Sequence, residues 1–274
     1  MATPDPIDRD IAPLLSEPFA RVWAADSRTI DSGRDSVRGR LLQRLRASRI
    51  AAEAMFTARP RDLPGIELAA GVSARTLYAA RGDRGLRPGE PLRSRLIELQ
   101  AGARWAAPDA DVFHEWLVLR GSVRFGDERL GLRDYRFEPA GCAGQTIHAE
   151  EAAQLFLRES RLADDATQRC ATTIRDRDAD WPEFASGIRR RVLWQHRNQA
   201  AMLYHAQAGA VVPLHSHRHD EECLMLQGEL FLDDILLQQG DYQLAPAGTS
   251  HRIVETDTGI VIYAHGDLDL HFTA

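Results

Sequence analysis

The chain has 274 residues, enough for one large domain or two ordinary ones with ample core. Hydrophobic residues make up 44% and charged residues 27%, as in soluble globular proteins, and a net charge of −6 gives no basic field to draw nucleic acid or an anionic membrane. No apolar run approaches the roughly 20 residues of a spanning helix, the N-terminus shows no secretory signal, and three cysteines (Cys142, Cys170, Cys223) without a C-x-x-C spacing argue against a disulfide framework. A cytoplasmic protein without a nucleic-acid or membrane partner is expected.

Along the chain, residues 1–60 come first as an N-terminal helical segment. Between Ser36 and Met55, Val37, Leu41, Leu42, Leu45 and Ile50 fall near helical spacing, with Arg38, Arg40, Arg44, Arg46 and Arg49 between them. That pattern predicts an amphipathic helix with an arginine face, either docked on the rest of the chain or offered to a protein partner. From about Leu99 onward the pattern changes to short β runs broken by Gly, Pro and Asp, such as Glu115–Leu119, Glu229–Leu232 and Ile260–Tyr263. Evenly spaced short strands predict sandwiches or barrels. A first barrel is expected over 61–160 and a second over 161–274. The second opens with a polar link containing Asp164-Asp165 and Arg175-Asp-Arg-Asp-Ala-Asp180.

The two barrels read as copies of one unit. Gln100-Ala-Gly-Ala103 recurs as Gln207-Ala-Gly-Ala210, which sets an offset of 107 residues. At that offset, without gaps, Glu115 meets Glu222, Leu117 meets Leu224, Leu119 meets Leu226, Gly121 meets Gly228 and Asp127 meets Asp234. Asp134-Tyr135 meets Asp241-Tyr242, and Pro139-Ala-Gly141 meets Pro246-Ala-Gly248. Lead-ins of similar type precede them, at Leu63–Tyr78 and Gly187–Trp194.

Four residues of the second copy have no such counterpart. His215 meets Pro108, His217 meets Ala110, Glu221 meets His114 and His251 meets Gly144. On a strand, His215 and His217 point the same way. Glu221 follows a reversal, and His251 follows the Pro246-Ala-Gly248 turn on a later strand. Three imidazoles and one carboxylate suit Zn, Fe, Mn, Ni or Cu, and leave a coordination position open for water or a small molecule. The first copy keeps only His114 in register and is expected to be degenerate and metal-free, with His148 nearby but out of register. Around the ligands, His219 either reaches the metal or is solvated. Cys223 shares the parity of Glu221, and Tyr204 or His205 could line the pocket. His265 and His271 are expected to be structural or exposed.

The run from Gly209 to Gly228, Gly-x5-His-x-His-x3-Glu-x6-Gly, and the run from Gly240 to His251, Gly-x5-Pro-x-Gly-x2-His, resemble the two cupin motifs. Glu255 stands where the family usually has Asn. The resemblance implies an all-β chain: two tandem jelly-roll (double-stranded β-helix) barrels, with His215, His217, Glu221 and His251 as metal ligands. More narrowly, the runs around Glu221-Glu-Cys-Leu-Met-Leu and Asp241-Tyr, with Trp181-Pro, resemble the cupin of ChrR-type proteins. Some of those are zinc-binding anti-sigma factors that respond to oxidative stress; others are bicupins. Residues 1–60 contain no His and no Cys, so the second zinc site of ChrR-type anti-sigma domains has no match. Only Ser36–Leu45 resembles the basic helix that joins that domain to its cupin. The resemblance implies a regulatory or sensory module with one divalent metal, zinc first. It would partner a sigma factor or another protein through the helix, take a small-molecule ligand at the metal, and form a homodimer. A metal-dependent enzyme of cupin dioxygenase type is the alternative.

Overall fold

The computed structural model describes residues 37–107, 111–142, 145–163, 166–167, 169–212, 215–232, 235–251 and 254–272. Residues 1–36, Asp164-Asp165, Asp234 and the first-copy counterparts Pro108, Ala110 and Gly144 lie outside the described residues. The chain divides into two compact units, Met1–Ala54 and Met55–Ala274. The described part of the first is one helix, Val37–Ala54, close to the expected span. Its Leu41, Leu45 and Ile50 are exposed.

The second unit is all-β, with every paired strand antiparallel, and contains the two barrels. In the first, a seven-stranded sheet runs in the order 172–174, 135–138, 113–120, 153–160, 91–99, 72–79, 66–69. In the second, the larger sheet has the path 56–58, 242–245, 221–232, 260–267, 199–206, 188–196, 183–185. From Pro91 onward the offset of 107 holds strand by strand: Tyr135–Glu138 matches Tyr242–Ala245, and Ala153–Ser160 matches Ile260–Asp267. Gly121 and Gly228 are needed in both, since each has positive φ (67° and 81°) and a Cβ there would strike a backbone carbonyl, that of Ala152 or of Gly259.

The lead-in strands depart from the expected boundaries. Phe56–Ala58, expected in the N-terminal helical segment, is a strand on the second barrel's sheet, with Phe56 opposite Leu244. Thr172–Ile174, expected in the second barrel, pairs with the first, with Thr172 opposite Phe137. Each repeat thus lends its first strand to the other. The same side chains fasten both exchanges. Arg59 meets Asp241 at 3.2 Å, and Arg175 meets Asp134 at 3.0 Å. This accounts for the Asp of the repeated Asp-Tyr pair.

Three apolar cores result. One fills the first barrel, around Trp105, Trp116 and Phe125. Another lines the second, around Met225, Leu237 and Ile262. The third lies between the barrels, where Phe113, Leu117, Phe156, Trp194, Leu224 and Tyr263 pack together. Strands 113–120 and 221–232 are therefore buried on both faces in their first parts, 113–118 and 221–225. Alternate residues serve the barrel interior and the interface, which explains runs such as Trp116-Leu-Val118 that show no polar alternation.

Inside the interface sits a charged network. Arg158 bonds Glu222 through Nε, Glu115 through Nη1 at 2.6 Å and the Gly89 carbonyl through Nη2 at 2.5 Å. Tyr135 donates to Glu115 at 2.6 Å, and Tyr242 donates to Glu222 at 2.7 Å, so the Tyr of the repeated pair is also accounted for. Ser94 donates to Glu222 at 2.5 Å. Burial pushes the Glu115 carboxyl up, opposed by the Arg158 charge. His265, expected to be structural or exposed, is buried here under Trp194 (5.8 Å, nearly parallel), and burial and then Arg158 hold it well below the usual imidazole range. Removing one member of a buried ion network strands its partners, at a cost of about 3–5 kcal/mol, whereas a half-exposed pair contributes about 0–1 kcal/mol. Arg158→Ala is therefore expected to lower stability by about 3–5 kcal/mol in denaturant titration, and Arg59→Ala by under about 1 kcal/mol. Similar losses in the two variants would contradict this reading of the interface.

Candidate metal centre

Glu221 and Glu222 begin one strand and point to opposite sides. Glu222 enters the interface network, which turns Glu221 into the second barrel. His215 lies on the short strand His215–Ser216, which pairs with Ser250–His251 so that His215 stands directly opposite His251. One ligand atom each from His215, His217 and Glu221 lie within 4.8 Å of one another. Glu221 Oε2 is 3.5 Å from Nε2 of both His217 and His251. The three imidazole centroids are 5.0–5.5 Å apart. The structure thus brings all four sequence-predicted residues together, and all are buried.

A cation fits this donor set. Tetrahedral ligands about 2.0–2.2 Å from zinc lie about 3.3–3.6 Å apart, and Glu221 Oε2 already stands 3.5 Å from Nε2 of both His217 and His251. Both ring nitrogens of His217 are buried without a hydrogen-bond partner, which is costly unless something else takes up a lone pair. Burial works against the charged form of both Glu221 and His217. At Glu221 the surrounding imidazoles, His217 first, overcome it and hold the carboxyl down to about 2. At His217 burial prevails over the Glu221 charge and keeps the pKa below the usual imidazole value. An ionised Glu221 and a neutral His217 are the states in which these two side chains bind a metal.

A pocket ends on His215, Glu221 and His251. Cys223 and Tyr204 line it, as their strand positions allow. Burial raises the Cys223 thiol well above its ordinary value and the Tyr204 hydroxyl to about 12. His205 is turned outward against Trp181. His219 is held by Asp267, Nδ1 to Oδ1 at 2.5 Å, and Asp267 also accepts from the Arg218 amide at 2.6 Å. The strand carrying His271 pairs with His215–Ser216. Gly266 is a further site residue, because a Cβ there would lie 3.2 Å from Glu221 Cγ. Its counterpart at the offset of 107 is Glu159, a signal present in the sequence but not drawn from it.

At the matching place in the first barrel, Glu159 lies 3.6 Å from His114 Nε2 and also binds Arg93 (2.5 Å) and Arg95 (3.0 Å). His114 and Glu159 stand where the second barrel has Glu221 and Gly266. Among the described residues, the His215, His217 and Glu221 group is the one that gathers three metal-binding side chains so closely.

Residues 170–269 match the family model of the ChrR cupin-like domain. The second barrel is a cupin domain. No curated protein matches the chain by sequence. Among solved structures, a candidate dioxygenase from Nostoc punctiforme shares the fold over 80% of this chain and 81% of its own, at 18% identity and a TM-score of 0.60. A candidate glyoxylate-induced protein from Pseudomonas aeruginosa does so over 81% and 91%, at 13% identity and 0.65. A variant of the oxalate decarboxylase of Bacillus subtilis does so over 79% and 78%, at 18% and 0.57. At these identities the likeness is one of fold. It spans both barrels.

Two outcomes are expected. His217→Ala should abolish metal uptake in elemental analysis, whereas His114→Ala should retain it. The second outcome concerns Glu159. Burial raises its carboxyl, but the bonds from Arg93 and His114 and the Arg95 charge prevail and hold it at about 2. A depressed carboxylate contributes stability above its unfolded pKa of about 4.3 and loses it as pH falls toward 2. Glu159→Gln should therefore flatten the acid limb of a stability–pH profile between those limits; an unchanged limb would refute the assignment.

Proposed function

We propose that the second barrel holds one divalent cation through His215, His217, Glu221 and His251, that the first barrel holds none, and that a small molecule reaches the cation through the pocket. The observation that carries this reading is the pocket itself, which ends on three of those four side chains. Zinc is the cation we assign first; iron, manganese and nickel accept the same donors. When bound, the cation would supply a Lewis-acid position at which water or a ligand is polarised. In this chain His215, His217 and His251 supply lone pairs and Glu221 a negative charge. Asp267 fixes the reversal between His217 and Glu221 through the Arg218 amide and the His219 ring.

We assign this centre to a regulatory module of ChrR type, responsive to a ligand or to oxidative stress. The domain match over 170–269 supports that use. So does the chemistry of the lining: Tyr204 and Cys223 stay protonated at neutral pH, so neither is poised as a base. The protein partner would be a sigma factor or another protein, met by the helix Val37–Ala54.

A second reading is a metal-dependent small-molecule enzyme of dioxygenase type. The open pocket favours it, as does the fold shared with the candidate dioxygenase. Oxygen consumption by zinc-loaded and iron-loaded protein across phenolics and keto acids separates the two. Regulation requires no uptake beyond that of His217→Ala, together with capture of a sigma factor. Sustained, metal-dependent uptake without such capture would transfer the assignment to the enzyme.

A further inference from the structure

We infer that the second barrel takes an amphiphilic monoanion, with its anionic head at the metal and an aliphatic or otherwise apolar body filling the pocket; this rests on the metal centre proposed above.

Three observations carry it. The first is the lining. Of its eighteen residues, twelve are aliphatic or phenylalanine, and the acid and imidazoles stand together at the Glu221 end. No Lys or Arg lines it among the described residues. Arg190 lies nearby, but its guanidinium sits 4.3 Å over the Phe184 ring and binds the Leu268 carbonyl at 2.5 Å.

The second is the comparison of the two copies. At the offset of 107, Val212, Cys223 and Leu232 line the pocket where the first barrel has Trp105, Trp116 and Phe125. Those three rings pack on one another, Trp105 to Trp116 at 6.1 Å and Trp116 to Phe125 at 5.4 Å, and all are buried. One copy is filled with aromatic rings at the positions where its twin is hollow. The space is thus built from small side chains at three particular positions.

The third is charge. A divalent cation with one carboxylate and neutral imidazoles leaves a net charge of about +1. One anionic head neutralises it. A second anionic group on the same ligand would lie against apolar walls without a partner, which is unfavourable.

The test is calorimetric titration of the metal-loaded full chain with butyrate, hexanoate, octanoate and decanoate, and with suberate as the dianion of octanoate's length. Affinity is expected to rise about three- to fourfold per methylene, with suberate at least tenfold weaker than octanoate. Cys223→Trp, which takes the twin's residue, should abolish the chain-length dependence while keeping the metal. Leu232→Phe, farther along the strand from Glu221, repeats the test if Cys223→Trp does not fold. Affinity independent of chain length, or suberate binding as well as octanoate, in protein that holds its metal would overturn the ligand class alone. Chain-length dependence in protein that elemental analysis shows to be metal-free would overturn the metal centre and with it the place assigned to the head group.

Discussion

Arg158 is the hinge on which the arrangement turns. Its guanidinium joins the two glutamates that occupy the same place in the two repeats, Glu115 and Glu222, and it does so away from water. A buried charge of this kind contributes specificity more than stability. Alternative dockings of two jelly rolls would leave Glu115 and Glu222 buried without a cation. The consequence reaches the candidate site directly. A strand alternates faces, so fixing Glu222 at the interface fixes Glu221 in the barrel. Strand 260–267 works the same way: His265 joins the interface, Gly266 makes room for Glu221, and Asp267 holds the His219 reversal.

The two barrels are one design put to two uses. Both keep the glycines at their reversals, the Asp that receives an arginine from the exchanged strand, and the Tyr that donates to a buried glutamate. They differ in what fills the interior. In the first barrel, Trp105, Trp116 and Phe125 occupy the core, and Glu159 with two arginines surrounds His114. In the second, smaller residues leave a pocket that ends on clustered imidazoles and a carboxylate. The exchanged strands bind the pair into one unit, and the filled barrel gives the hollow one a rigid face to pack against.

Much of this was legible in the chain because a duplication supplies its own control. Positions that recur at the offset of 107 serve the backbone or the interface, and His215, His217, Glu221 and His251 stood out by failing to recur. The repeat also located Glu115 and Glu222 without revealing their role, since a glutamate repeated at a buried interface looks the same in sequence as one repeated on a surface. Arg158 was harder to find, because its counterpart is His265 and the two share no residue type. The strand exchange was hidden for a geometric reason. A three-residue strand such as Phe56–Ala58 has too little pattern to name its partner, and short lead-ins favour neither barrel until the cores exist. The pocket was legible only by comparing sizes at paired positions, Cys223 against Trp116 above all.

We propose that this fold carries one metal, in the second barrel. Anomalous diffraction at the metal's absorption edge, from crystals of the protein as purified, would locate it. A single strong peak per chain is expected among His215, His217, Glu221 and His251. A peak of comparable height beside His114 and Glu159, or none at the four ligands, would contradict it.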